Sequence, residues 1–82
     1  MYKNKAGDGG NNICGQRIKG IREKLPEKTS QRKLADMLQR AGLDIDKNAV
    51  QRIESGKRFV TDIELKIIAE VLGVSYQDLL DD

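Results

Sequence analysis

Between Ser30 and Arg58 the chain reads SQRKLADMLQRAGLDIDKNAVQRIESGKR, two short amphipathic segments joined by a turn. In the second segment Val50 and Ile53 fall on one side of a helix, with Asn48, Gln51, Arg52 and Ser55 on the other. The pattern stops at Gly56 and runs directly into Lys57-Arg58. Amide and guanidinium groups on a helix face can form paired hydrogen bonds with base edges, while flanking cations neutralise phosphate. This is equipment for reading a DNA groove.

Bond-making chemistry has little to work with. The chain has no histidine, which removes Ser-His and Cys-His nucleophile pairs and the usual zinc sites. Its single cysteine, Cys14, cannot close a disulfide within the chain. No glycine-rich phosphate loop is present, and the acidic neighbours Asp44/Asp46 and Asp81/Asp82 read as solvated charge. No enzyme activity, metal or cofactor is expected.

The elements that must hold the polar face are legible from caps and periodicity. Residues 1–12 lack any apolar period and read as a flexible arm, leaving residues 13–82 as one small domain. A first helix is expected over 13–25, with Asn12 as N-cap, Cys14, Ile18, Ile21 and Leu25 on one stripe, and Pro26 as the stop. A second opens after Ser30, carries Leu34, Met37, Leu38 and Ala41 on one face, and ends at Gly42. Asp46 caps the third. The fourth opens on the capping box Thr61-x-x-Glu64 and closes at Gly73, and the fifth opens on Ser75-x-x-Asp78. No segment alternates with a period of two, so the fold class is all-α, a compact five-helix bundle.

The fourth helix carries two apolar stripes. Leu65, Ile68, Ala69 and Leu72 should face the core, while Ile63, Ile67 and Val71 lie on roughly the opposite side. That second stripe must be covered by the fifth helix, by Phe59 and Val60 folding back, or by a second subunit.

Charge is divided along the chain. Residues 1–58 hold 14 Lys/Arg against 7 Asp/Glu, and residues 59–82 hold one against 6. A polyanion on one face explains this asymmetry, and so do ordinary solvated helix faces. The amino terminus lacks the apolar core of a signal peptide, and no run of apolar residues is long enough for a membrane span, so cytoplasmic residence and no membrane partner are expected.

In order, GQRIKGIREKL, SQRKLADML, AVQRIESGKR and DIELKIIAEVLGVSYQDLL resemble the Cro/cI-type (Xre-like, phage-repressor-like) helix-turn-helix family. The resemblance covers about residues 13–80. It is carried by Ser30-Gln31, Leu34-Ala35, Ile53-Glu54-x-Gly56 and Ala69-x-x-Leu72-Gly73-Val74 in register. It implies a lambda-repressor-like bundle whose second and third helices form the DNA-binding unit. The third would lie in the major groove with Lys47, Asn48, Gln51 and Arg52 towards base edges. Gln31, Arg32, Ser55, Lys57 and Arg58 would meet the DNA backbone. Arg22 and Glu54 match a family pair that bridges the first and third helices. The resemblance also implies a repressor that binds double-stranded DNA as a homodimer on a two-fold operator, its half-sites roughly 34 Å apart. Ile63, Ile67 and Val71 would supply the dimer contact. No small-molecule ligand is expected, because no further segment is left over to hold one.

Two features depart from the family pattern. The spacing between Leu38 and Glu54 is about five residues longer than usual, so QRAGLDID adds a turn to the second helix or lengthens the connection; Asp44 and Asp46 then lie near the tip that should approach phosphate, and the PEKT loop is also long. A reading from another class stands beside the first. The bundle would be a protein-interaction module, such as an antitoxin or anti-repressor, working through the Ile63/Ile67/Val71 stripe and the acidic carboxyl end.

Overall fold

The computed structural model describes residues 3–4 and 12–80. In chain order the elements are β1 (Lys3–Asn4), α1 (Gly15–Glu23), α2 (Gln31–Arg40), α3 (Lys47–Glu54), β2 (Val60–Thr61), α4 (Asp62–Leu72) and α5 (Tyr76–Leu80). The mostly helical bundle expected from the sequence is what forms. The two strands pair antiparallel, Lys3 with Thr61 and Asn4 with Val60. At two residues each, they are too short to leave a periodic signal in the sequence.

Four of the five expected caps act where the sequence places them; at α1 the N-cap position falls to Cys14, which makes no side-chain cap bond, and not to Asn12. The Ser30 hydroxyl accepts from the Lys33 N–H and the Asp46 carboxylate from that of Ala49. Thr61 and Glu64 form a reciprocal capping box, and Ser75 and Asp78 exchange the same pair of bonds. Gly42 and Gly73 end α2 and α4 with positive φ, 99° and 71°, a backbone region that side chains disfavour.

Helix α1 is shorter than the expected span of 13–25. At its start the Asn12 side chain bonds the Gly15 N–H, so Ile13 and Cys14 remain outside the helix. At its end the Lys24 and Leu25 N–H groups bond the carbonyls of Ile21 and Arg22, a tightened last turn. Leu25 leaves helical geometry because Pro26 follows it. Of the arm expected over 1–12, residues 1–2 and 5–11 lie outside the described residues. Lys3–Asn4 form β1, and Asn12 is buried.

The core gathers Cys14, Ile18, Leu34, Ala35, Leu38, Ile45, Val50, Ile53, Val60, Leu65, Ile68, Ala69, Leu72 and Leu79. Ala41, expected on the buried face of α2, is instead its exposed C-cap, and Ala35 takes the inward place. Cys14 is fully buried, and burial pushes its thiol up to about 11, so it behaves as a small apolar side chain. Among the described residues, no helix is long and apolar enough to cross a membrane.

The long α2–α3 connection is ordered by burial. Ile45 is in the core and Leu43 packs against it, so Asp44 between them faces outwards. The Gln39 side chain donates to the Ile45 carbonyl at 2.7 Å, and the Leu43 N–H to that of Leu38 at 2.9 Å. The extra residues extend the inter-helix turn and seal it with an apolar anchor.

Candidate nucleic-acid interface

Helix α3 is held on two sides and open on a third. Val50 and Ile53 are buried, each 2% exposed, and fix its apolar face against α1 and α2. Lys47, Asn48, Gln51 and Arg52 are all exposed and, at i, i+1, i+4 and i+5, share one arc of the helix. At the amino-terminal end of that arc, Lys47 and Asn48 line a notch with Arg32, Ala35 and Asp36 of α2 and the capping Asp46. Arg32 therefore stands beside the start of α3.

The orientation of α3 is set by a buried polar network. Arg22 donates from Nε to Glu54 Oε2 at 2.7 Å and from Nη2 to Oε1 at 3.0 Å, a bidentate pair. Its Nη1 donates to the Thr29 carbonyl at 2.8 Å. Hydrogen bonding to Glu54 outweighs burial and raises the Arg22 guanidinium above its ordinary value. Gln31 Nε2 also donates to Glu54 Oε1, at 2.9 Å. The structure thus brings Arg22, Gln31 and Glu54 together, tying α1, the start of α2 and the end of α3 to one carboxylate. Among the described residues, no buried side-chain polar atom lacks a partner.

The segment after α3 folds back over the helix end. Gly56 takes φ of 80°, and the N–H groups of Lys57 and Arg58 both donate to the Arg52 carbonyl, at 2.8 and 3.2 Å. Ser55 Oγ donates to the same carbonyl. Ser55 and Lys57 are exposed, so the basic rim continues the polar arc of α3. Arg58 is turned differently. Its Nη1 and Nη2 donate to both oxygens of Glu64, at 3.2 and 3.0 Å. Burial would push the Glu64 carboxyl up, but hydrogen bonds from Arg58 and from Thr61 hold it below its ordinary value.

Sequence reasoning missed two positions at this site. Asn12 is 4% exposed, and its Nδ2 donates to the carbonyls of Ile53, at 3.0 Å, and Arg58, at 2.8 Å. The Gly15 backbone packs against the carbonyls of Ile53 and Glu54. A helix-starting Asn signals a cap, but nothing local signals partners more than 40 residues away.

The second stripe of α4 is divided. Ile63 is 58% exposed, whereas Ile67 and Val71 pack partly onto the core. Val60 is fully buried and Phe59 40% exposed, so only Val60 folds into the core. Ile63 lies instead in an open groove with Leu65, Tyr76 and Leu80, bordered by Asp62 and Lys66.

The helix-turn-helix family model matches residues 18–79, most of the chain. Neither a curated protein nor a solved structure gives a significant match. With the bundle, the paired α2 and α3 and the matched segment in agreement, the chain belongs to the Cro/cI-type, Xre-like helix-turn-helix family of DNA-binding regulators.

Proposed function

We propose that this chain is a sequence-specific repressor that lays α3 in the major groove of its operator. The observation that carries the reading is the exposed arc of Lys47, Asn48, Gln51 and Arg52 on a helix whose opposite face and carboxyl end are locked into the bundle. Arg52 suits guanine O6/N7, and Asn48 or Gln51 suits adenine N6/N7. Lys57, Arg32 and Ser55 flank the arc and meet phosphate. Gln31 and Arg58 reach the backbone through whatever donor capacity their bonds to Glu54 and Glu64 leave.

The protein acts as a homodimer on a two-fold operator with half-sites roughly 34 Å apart. The groove around Ile63, with Tyr76 and Leu80, is the apolar surface that supports a dimer contact, and the half-buried Ile67 and Val71 add only their edges. The same groove supports the second reading, a module that binds another protein.

Selection of bound duplexes from a random pool tests the reading directly. On the selected site, Arg52→Ala is expected to cost about 1–3 kcal/mol and relax one base position. Lys57→Ala should weaken all sequences alike and reduce the slope of log K against log salt by about one. Unchanged binding in both variants would refute the face assignment. Salt-insensitive absence of duplex binding, together with a monomeric mass, would favour the protein-binding module.

A further inference from the structure

We propose that Asn12 is the positioning residue of the nucleic-acid face, fixing the backbone that carries Lys57 against the end of α3. The proposal rests on the DNA-binding reading above. Asn12 lies outside the matched residues 18–79, in a stretch that reads from sequence as the end of an arm.

A helix cap uses only one half of this carboxamide. Oδ1 accepts from the Gly15 N–H at 2.7 Å, satisfying one of the free amide groups at the start of α1. The other half does something a cap does not require. Nδ2 spends both of its hydrogens on carbonyls belonging to another part of the chain, Ile53 in the last turn of α3 and Arg58 in the basic rim. Four residues lie between these carbonyls, among them Gly56 and Lys57 at the reversal of the chain. On the N–H side the reversal is pinned to Arg52 and Ile53. On the carbonyl side it is pinned by Asn12.

The location makes the tie consequential. Lys57 is exposed and lies within the reversal itself, between the two carbonyls that Asn12 holds, so its placement depends on this backbone. Asn12 itself is buried. Its effect on DNA must pass through the segment it clamps. Loss of the carboxamide removes one tie of the rim and one hydrogen bond from each of two carbonyls, of which that of Ile53 keeps the Gly56 N–H.

Asn12→Asp separates the two halves, because aspartate caps a helix as well as asparagine does but cannot donate. Binding is measured across a salt series, at a temperature where circular dichroism shows each variant folded. Asn12→Asp and Asn12→Ala should both bind selected and random duplex about fivefold to tenfold more weakly at 0.1 M salt, with the salt slope lower by about one, the worth of one phosphate contact. Base preference opposite Asn48 should persist. In a Lys57→Ala background, Asn12→Asp should change the slope no further. Hydrogen exchange supplies a readout free of DNA: the Lys57 and Arg58 amides should lose protection in Asn12→Asp while those within α3 keep theirs. A lowered melting temperature with an unaltered slope and unaltered rim protection overturns the proposal, as do losses that simply add in the double variant. Wild-type protein without salt-dependent duplex binding would overturn both this proposal and the reading beneath it.

Discussion

Glu54→Ala should remove about 3–5 kcal/mol of folding stability, the usual cost of deleting one member of a buried ion pair. The geometry places this site in the costly class. Glu54 is 6% exposed and its two oxygens accept three hydrogen bonds, two from Arg22 and one from Gln31. Truncation leaves a buried guanidinium facing an empty space, with only the Thr29 carbonyl still bound. A domain of this size has about 5–15 kcal/mol in total, so about a fifth or more of its stability would be lost. Urea denaturation should show a lower midpoint with an unchanged m-value. DNA affinity should fall at least as far as the folded fraction falls. A Glu54→Ala protein that resists heat like the wild type but no longer binds would show that Glu54 acts through the pose of α3 or on DNA itself and not through stability. Replacing both partners by apolar residues of similar volume, Arg22→Met with Glu54→Leu, should cost less than either truncation alone, since no buried charge is then left unpaired.

The same network marks the boundary of what local pattern reveals. Helix positions follow from features within a few residues: Ser30, Asp46, Thr61 and Ser75 cap the helices they precede, and Gly42 and Gly73 end the helices they follow. The polar arc of α3 was legible for the same reason, because Val50 and Ile53 fix by period which side must be buried. The pairing of Arg22 with Glu54 came from the family register rather than from spacing, and Gln31 gave no sign that it would join them. By local pattern Asn12 reads as the N-cap that closes the arm, and Gly15 is one position within the first helix. Their partners lie about 40 residues on, and single-sequence periodicity carries no information at that range. The exposed end of α4 meets the same limit. A helix apolar on two sides needs two covers, but periodicity cannot say which residues the neighbours reach, and Ile67 and Val71 are already half covered within the chain.

One junction therefore sets the pose of α3 from below, and it can be probed without touching a polar group. Gly15→Ala and Gly20→Ala place the same methyl group on the same helix, yet they should shift stability in opposite directions. At Gly20 an added Cβ meets nothing within 4 Å, so the gain in helix propensity should stabilise the fold by about 0.5–1 kcal/mol. At Gly15 the Cβ would press on the Ile53 carbonyl far inside the 3.0 Å that real Cβ contacts respect, with Glu54 O at 3.1 Å and Asn12 Oδ1 at 3.0 Å around it. Those neighbours are two backbone carbonyls at the end of α3 and a side chain already committed to hydrogen bonds, and none can swing aside like a flexible chain end. Relief requires α1 to move away from α3, which lengthens the Asn12 bonds and disturbs the Arg22–Glu54 pair. Gly15→Ala should accordingly lose about 1–3 kcal/mol, the usual cost of overpacking a tight site, or more where backbone must move. Urea midpoints measured side by side would show the two variants on either side of wild type. Equal shifts would mean that α1 does not approach the end of α3 as closely as Gly15 requires, and that the pose of α3 is fixed by Glu54 alone.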